Sequence, residues 1–186
     1  PETKKLKLID KPIPNCSPHE VLIKVKSIGV NRPDILQKKG LYPPPKNASP
    51  ILGLEASGLV EKVGNKIKNI KIGEKVCALT PGGAYAEKVI VPASHCFPIP
   101  DNFSFPEAAS LPESYMTVWA NLIELGKIRR NQTLLIHGGS SGIGIAAIQL
   151  AKWRGLKVFT TVRNKEKMDF CKLVGADLSI IYKNED

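Results

Sequence analysis

A glycine- and serine-rich turn, LLIHGGSSGIG (134–144), interrupts an apolar run and is the first place where this sequence could hold a ligand. The turn matches the first and last glycines of the dinucleotide fingerprint GxGxxG, with a serine at the middle glycine. Small residues let the backbone approach a pyrophosphate, and free N–H groups at a helix start attract it. A tight turn that holds nothing is the alternative, but the strands and helix around it favour a dinucleotide. The candidate cofactor-binding residues are Gly139, Ser141, Gly142, Ile143 and Gly144.

Cations follow the second strand of this half, about 20 residues beyond the turn, where NAD-binding proteins carry an acid that holds the ribose hydroxyls. No carboxylate occupies residues 160–165, and this region carries Arg163, Lys165 and Lys167. Guanidinium and ammonium groups attract a 2′-phosphate, whereas an acid would repel it. The cations could simply form the polar first turn of a helix, but positive charge there opposes the helix dipole. The pattern therefore predicts NADP(H), bound in part by Arg163 and Lys167.

Tyr42, in the segment Gly-Leu-Tyr-Pro, could contribute chemistry beyond positioning. A phenol can donate a hydrogen bond to an oxygen where negative charge develops, or donate a proton after a hydride arrives. The alternative is an aromatic side chain that closes a proline-rich loop. Other candidates are weaker, because Ser140 and Ser141 lack a GxSxG context and His137 is expected to be a packed residue that donates a hydrogen bond.

The elements that must position these residues differ between the two halves of the chain. Up to about Pro112 the sequence has short β-branched segments separated by turn formers, which indicates an irregular antiparallel barrel or sandwich. We therefore place a substrate and catalytic domain at residues 1–112. Its clearest strand segments are residues 20–30, 57–64, 74–79 and 84–92.

The second half alternates apolar strands with helices. A helical stretch from Ser104, with a break or restart expected at Pro112 and an end at Gly126, leads into it. Such alternation indicates parallel strands buried on both faces. A doubly wound sheet normally has about six strands, so residues 113–186 are interpreted as the first part of a dinucleotide-binding domain, and the sequence as a fragment. Strands are predicted at 133–137, 157–163 and 177–182, and helices at 143–155 and 164–175.

Composition and charge indicate which kinds of ligand or partner this protein could bind. The net charge is +10, from 27 Lys and Arg against 17 Asp and Glu that are interleaved along the chain. No aromatic-plus-basic motif accompanies these charges, so we expect a small anionic ligand and no nucleic acid. No run approaches the roughly 18 apolar residues of a membrane span, so no membrane contact is expected. Four cysteines without metal-ligand spacing are interpreted as reduced thiols in the cytoplasm: Cys16, Cys77, Cys96 and Cys171.

Six collinear segments run along nearly the whole chain, at residues 25–45, 51–64, 82–92, 111–122, 136–152 and 173–186. In order and spacing they resemble the medium-chain dehydrogenase/reductase superfamily, and within it the quinone oxidoreductases. The segments NRPDILQKKGLYPPP and LGLEASG are most similar to the tumour-suppressor-induced members found in animals. The resemblance implies an α/β plus β fold. It consists of a GroES-like irregular β-barrel followed by the first part of a Rossmann domain, in a protein that is a homodimer when full length.

The resemblance also implies further site residues. In the family pattern Asn31 borders the nicotinamide and substrate, and Thr117 approaches the nicotinamide. Lys167 and Tyr182 match positions that hold the 2′-phosphate and the adenine side. Zinc-dependent relatives bind a catalytic metal through a Cys and a His, but this chain has Asn31 and Leu54 at those places, so no metal is expected.

These features predict an enzyme that transfers reducing equivalents from NADPH to small quinones without a metal, with Tyr42 and Asn31 as its catalytic residues. A bound nicotinamide supplies the hydride and the protein positions it. A second hypothesis is reduction of an activated double bond in an enone or enoyl thioester, because the matching tyrosine is a proton donor in related enoyl-thioester reductases. A third, from a different class, is a truncated cofactor-binding protein without catalysis.

Overall fold

The computed structural model describes residues 5–183, which form two compact units that divide between Glu113 and Ser114. The first unit contains a five-stranded antiparallel sheet in the order β4-β1-β2-β3-β5. This curled sheet is the irregular barrel that the resemblance implies. Its strands are β1 (Glu20–Ile28), β2 (Glu55–Val63), β3 (Lys75–Leu79), β4 (Lys88–Pro92) and β5 (Cys96–Pro98).

Alternating β-branched residues form the core of this unit. Val21 and Ile23 of β1 lie in one buried cluster with residues of other strands, among them Val60 of β2 and Val76 of β3. The register of β1 against β2 shifts twice, which increases the local twist and lets the sheet curl. The four strand segments expected from the sequence are confirmed as β1 to β4. The sequence did not predict β5, because three residues are too few to show an alternating pattern.

Prolines and caps set the helix boundaries in the middle of the chain. Pro112 begins a new helix, and Gly126 caps the π-helical segment that follows, as the sequence predicts. Ser104 caps α2, because its hydroxyl accepts from the Glu107 N–H at 3.4 Å while the Glu107 carboxylate accepts from the Ser104 N–H at 2.8 Å. The elements are α1 (Arg32–Lys38), α2 (Phe105–Ala109), α3 (Pro112–Val118) and a π-helix (Trp119–Leu125).

The second unit contains a parallel sheet in the order β6-β7-β8. Each strand is followed by a short connection, and the two helices link successive strands in β-α-β units. Every strand and helix predicted beyond residue 130 is confirmed to within two residues at each end. They are β6 (Thr133–His137), α4 (Gly142–Trp153), β7 (Lys157–Val162), α5 (Lys165–Val174) and β8 (Leu178–Ile181).

Helices cover one face of this parallel sheet. Ile136, Val158 and Val162 pack into one cluster with Ile148 of α4 and Cys171 of α5. On the opposite face, Leu135 is 51% exposed and Leu178 is 44% exposed. The expectation that the strands are buried on both faces is therefore wrong for residues 5–183. Successive right-handed crossovers in one direction carry both helices to the same face of the sheet.

Residues 5–183 contain neither a helix that could cross a membrane nor a disulfide. The longest helix, α4, has 12 residues, whereas a span needs about 20. No helix in the described part of the chain is long and apolar enough to cross a membrane. All four cysteines are free thiols.

Replacing Ile148 with alanine tests the packing of the second unit. Ile148 is fully buried between α4 and the sheet, so its truncation should lower the free energy of unfolding by about 2–5 kcal/mol. Leu173→Ala is the control, because this side chain is 84% exposed and its loss should cost less than about 0.5 kcal/mol. Urea unfolding followed by tryptophan emission reports on this unit, which contains both tryptophans. Equal effects of the two substitutions would contradict the packing.

Candidate functional site

The glycine turn connects β6 to the start of α4. Ser141 is the N-cap of α4, and its hydroxyl accepts a hydrogen bond from the Gly144 N–H at 3.0 Å. The first helical bond runs from the Ile145 N–H to the Ser141 carbonyl at 2.8 Å. Within residues 5–183 the N–H groups of Gly142 and Ile143 have no acceptor. These two N–H groups, at the positive end of the helix dipole, can bind an anion.

The matched glycines are required by packing within the protein. A Cβ added to Gly139 would lie 2.6 Å from the Thr160 Cβ, and one added to Gly144 would lie 2.5 Å from the Gly138 carbonyl oxygen. Gly138 itself has a φ of +71°, which side chains rarely adopt. The first and last glycines of the fingerprint therefore set the shape of the turn, while the N–H groups between them are the ones left to bind.

Arg163 directly follows β7, and Lys165 and Lys167 lie in the first turn of α5. The Lys165 Nζ lies 2.9 Å from the Asp169 Oδ1, so an acid within the helix neutralises this charge. In the described part of the chain no carboxylate lies within 4.0 Å of Arg163 or Lys167, and both are exposed. The structure thus separates the three cations that the sequence groups together and leaves two of them uncompensated.

Tyr182 follows β8 and is exposed. Its N–H donates to the Val162 carbonyl at 3.2 Å, so its backbone lies beside the end of β7 and next to Arg163. The glycine turn, Arg163 and Tyr182 thus follow three adjacent parallel strands at their carboxyl ends. Open α/β sheets bind their ligands at this edge.

A cavity of about 250 Å³ lies in the second unit, and Thr117, His137 and Ile143 contribute to its lining. The expectation that His137 is a packed residue is wrong, since the side chain is exposed. Its Nδ1 lies 3.0 Å from the Thr161 hydroxyl, a hydrogen bond in which the tautomer of the ring decides which group donates. The cavity brings together Thr117, predicted from the resemblance, and Ile143, predicted from the fingerprint.

Asn31, in the first unit, is the N-cap of α1 and contacts two buried carboxyl groups. Its Nδ2 donates to the Glu55 Oε1 at 2.8 Å, and its backbone N–H donates to the Asp34 Oδ2 at 2.8 Å. Glu55 is 2% exposed and Asp34 is 3% exposed. The sequence predicted Asn31 as a site residue without indicating what would hold it.

Two further groups complete this carboxylate network, which comprises Asn31, Asp34, Glu55, Tyr85 and Glu113. The Glu113 N–H donates to the Glu55 Oε2 at 2.8 Å, and the Tyr85 hydroxyl donates to the Asp34 Oδ2 at 3.0 Å. Burial raises the pKa of Glu55, although the hydrogen bonds from Glu113 and Asn31 oppose this shift. Burial and the neighbouring carboxylate of Asp34 also raise the pKa of Tyr85.

Sequence reasoning missed most of this network. A local signal existed for Asp34, because an N-cap residue followed three positions later by an acid, with a proline between them, is typical of a helix start. Glu55 directly follows Leu54, the place of a missing zinc ligand, and was not predicted as a site residue. Tyr85 and Glu113 reach the network from distant parts of the sequence, and no local pattern indicates such contacts.

Tyr42 lies in the proline-rich loop between α1 and β2 and is 45% exposed. Within residues 5–183 its hydroxyl has no hydrogen-bond partner. The structure therefore does not connect Tyr42 to the carboxylate network, and its catalytic role stays a prediction.

The donor set around Asn31 does not suit zinc. The places that match the zinc ligands hold an amide and the hydrocarbon side chain of Leu54, neither of which is a zinc ligand of the usual kinds. Among residues 5–183 no group of three His, Cys, Asp or Glu side chains could hold a metal ion.

Two family models match the chain. Residues 17–101 match the alcohol dehydrogenase GroES-like domain, and residues 142–186 match the zinc-binding dehydrogenase model. Residues 184–186, which end both this match and the last segment of the resemblance, lie outside the described residues. The order of the two matches agrees with an irregular antiparallel unit followed by the start of a Rossmann-like unit.

Known proteins similar to this chain include curated sequences and a solved structure. A synaptic vesicle membrane protein VAT-1 homolog from Danio rerio is 36% identical over 184 residues, covering 98% of this chain and 38% of that protein. A highly reducing polyketide synthase from Didymella fabae is 35% identical over 90% of this chain and 8% of that protein. The Escherichia coli quinone oxidoreductase complexed with NADPH has a TM-score of 0.83 and 32% identity, covering 96% of this chain and 55% of that chain.

The chain thus spans about half the length, or less, of the relatives that it matches. Within that span the similarity covers both units, and the fold, the order of the elements and the two family models agree with one another. The chain belongs to the quinone oxidoreductase family of the medium-chain dehydrogenase/reductase superfamily.

Proposed function

We propose that this chain provides the coenzyme-binding and reducing site of an NADPH-dependent oxidoreductase that acts on small quinones without a metal. The observation that carries the proposal is the pair of uncompensated cations, Arg163 and Lys167, beside a glycine turn with free N–H groups. A 2′-phosphate is the group that such a pair would neutralise. The similarity to the Escherichia coli quinone oxidoreductase complexed with NADPH supports this assignment.

We assign each part of the coenzyme to residues of the second unit. The N–H groups of Gly142 and Ile143 would bind the pyrophosphate, as helix N-termini generally do. Tyr182, exposed beside Arg163, would contact the adenine side. The cavity that Thr117 lines would hold the nicotinamide end. Gly139, Ser141 and Gly144 would act by shaping the turn rather than by contact through side chains.

Reduction of a quinone needs little activation from the protein. When bound, the coenzyme supplies a hydride, and the quinone oxygen that gains negative charge must then be stabilised or protonated. An amide N–H of Asn31 is the donor that we assign to this oxygen, and the hydroxyl of Tyr42 is the proton donor that the second candidate reaction requires. Since a quinone is already an electrophile, no Lewis acid is required.

Removing the two uncompensated cations should change coenzyme preference. We expect the Arg163→Ala, Lys167→Ala double variant of the intact protein to bind NADPH at least tenfold more weakly, because charge-assisted contacts to phosphate are worth about 1.5–3 kcal/mol. Binding of NADH, which has no 2′-phosphate, should change less than about twofold. Quenching of tryptophan emission during titration with each coenzyme measures both affinities.

Lys165→Ala is the matched control, since Asp169 already neutralises this neighbouring cation. It should leave the ratio of NADPH to NADH affinity unchanged. If the double variant loses affinity for NADPH and NADH equally, the two cations do not bind the 2′-phosphate, and the assignment of NADPH is wrong.

Reduction of an activated double bond is the second candidate function. One observation favours it: the Tyr42 hydroxyl is accessible and has no partner within residues 5–183, so it is available as a proton donor. The similarity to a highly reducing polyketide synthase also supports it. A carbon that must be protonated after hydride transfer depends on such a donor, whereas a reduced quinone can take its protons from water.

Replacing Tyr42 with phenylalanine separates the two reactions. We expect reduction of an enone to fall about 100-fold because general acid catalysis is lost, and reduction of a quinone to fall less than about threefold. Tyr115→Phe is the control, because the Tyr115 hydroxyl already bonds to Gln149 in the second unit. Steady-state rates of NADPH oxidation with each acceptor give the result. A loss confined to quinone reduction would instead make Tyr42 the donor to the quinone oxygen.

The remaining predictions concern the state of the protein. If the protein binds NADPH but reduces neither a quinone nor an enone, it is a cofactor-binding protein without catalytic activity. We also propose that the intact protein is a cytoplasmic homodimer with small-molecule substrates and with no nucleic-acid or membrane partner. Light scattering and cell fractionation test these assignments.

A further inference from the structure

The side-chain amide of Asn31 is held in one orientation. An ionised carboxylate can only accept hydrogen bonds, so the Glu55 Oε1 at 2.8 Å requires that Nδ2, and not Oδ1, faces it. The backbone N–H of Asn31 is held separately by the Asp34 Oδ2, also at 2.8 Å. Because Nδ2 carries two hydrogens, one N–H remains without an acceptor within residues 5–183.

Glu55 is itself fixed by its surroundings. Its second oxygen, Oε2, accepts from the Glu113 N–H at 2.8 Å. A Cβ added to Gly29 would lie 1.9 Å from the Glu55 Oε1, so the carboxylate occupies the space that any side chain at position 29 would need. A carboxylate so enclosed does not reach solvent, and it can hold the Asn31 amide without moving.

Stability alone does not account for a carboxylate at this place. Within residues 5–183 no cation lies within 4.0 Å of Glu55. Burial raises the pKa of Glu55, and the negative charge of Asp34 raises it further. Glu61, on the same strand, shows the usual arrangement: it faces Lys88 at 2.5 Å, and its pKa is lowered. Burying a charge without a cation lowers the stability of the protein. The presence of a carboxylate at position 55 is therefore better explained by a role in orienting the Asn31 amide.

We propose that Glu55 is a positioning residue for reduction, because its buried carboxylate turns the Asn31 amide so that the free Nδ2–H donates to the substrate oxygen that gains negative charge. The proposal rests on the function proposed above, in which Asn31 contacts that oxygen. Gly29 supports this arrangement, because the absence of a side chain at position 29 leaves the space in which the Glu55 carboxylate lies.

The proposed role of Glu55 makes the orientation of Asn31, and with it kcat, depend on pH. Since burial raises the pKa of Glu55, the carboxylate is protonated at a higher pH than an ordinary glutamate as the pH falls. A protonated Glu55 has an O–H that can donate to the amide oxygen, so the orientation of Asn31 is no longer imposed below this pKa. The titratable groups that face Glu55 are Asp34 on α1, Cys77 on β3 and Glu113 on α3, with Tyr85 bonded to Asp34.

Glu55→Gln in the intact protein tests the proposal. A glutamine has the same shape, but its oxygen must still accept from the Glu113 N–H, so its NH2 group faces Asn31 and no longer accepts from Nδ2. We expect kcat for a quinone at saturating NADPH to fall about tenfold or more because the donor is misoriented, with the Kd for NADPH changed less than twofold. The acid limb of the wild-type kcat profile should disappear in the variant, because the group that titrates is gone.

A spectroscopic signal tests the orientation without using activity. The two Nδ2 protons of Asn31, assigned by their loss in Asn31→Asp, should be widely separated in an ¹H–¹⁵N spectrum of the wild type, since one is bonded to a carboxylate. They should move together in Glu55→Gln. Glu61→Gln is the matched control on the same strand, and it should leave the Asn31 signals, kcat and the pH profile unchanged.

The outcomes separate this proposal from the function on which it rests. Unchanged Asn31 signals in Glu55→Gln would show that Glu55 does not orient the amide, whatever the activity. Shifted signals with unchanged kcat would also overturn the proposal, because the orientation would not matter to reduction. A wild-type protein that reduces no quinone would refute the proposed function. If Glu55→Gln does not fold, Gly29→Ala, which displaces the same carboxylate, should give the same shifts and loss of kcat.

Discussion

The close packing of the glycine turn against β7 is the constraint on which the candidate coenzyme site depends. Gly139 lies against Thr160 with no space for a side chain, and Thr160 is bonded through its hydroxyl to Ser179 of β8 at 2.7 Å. The buried contacts of Thr160 with Gly139 and Ser179 hold the glycine turn against β7 and hold β7 against β8. Because the three strands are parallel and in register, the residues that follow them meet at a single edge. The free N–H groups, Arg163 and Tyr182 come together for this reason.

A second constraint acts in the first unit, where two carboxyl groups are buried without a cation within 4.0 Å among residues 5–183. Hydrogen bonds from Asn31, Tyr85 and the Glu113 N–H compensate them in part, and burial still raises the pKa of Glu55. Networks of this kind are costly when incomplete and rigid when satisfied. One oxygen of Asp34 has no partner among residues 5–183, whereas each oxygen of Glu55 accepts from a separate donor. The Glu55 part of the network is thus in keeping with a site in which a donor must be held at one angle.

The two constraints differ in how they could be read from the sequence. The glycine turn is a local pattern, with its strand, turn and helix contiguous, so the fingerprint predicted its place and its neighbours correctly. The carboxylate network joins residues from position 31 to position 113, and only Asn31 was predicted, from the resemblance to a family. The sequence analysis also grouped Arg163, Lys165 and Lys167. Asp169, which pairs with Lys165, lies four residues later on the same helix, so this pair was a local signal that the grouping did not use.

The sequence by itself determined the secondary structure, because periodicity, prolines and glycines act within a few residues of one another. β1 to β4, the restart at Pro112 and the alternating strands and helices of the second unit followed from such local rules. The tertiary structure alone decided which face of the parallel sheet is covered and where Glu55 finds its donors. Burial and pairing depend on contacts between residues far apart in the chain, and no local pattern of residue types fixes those contacts.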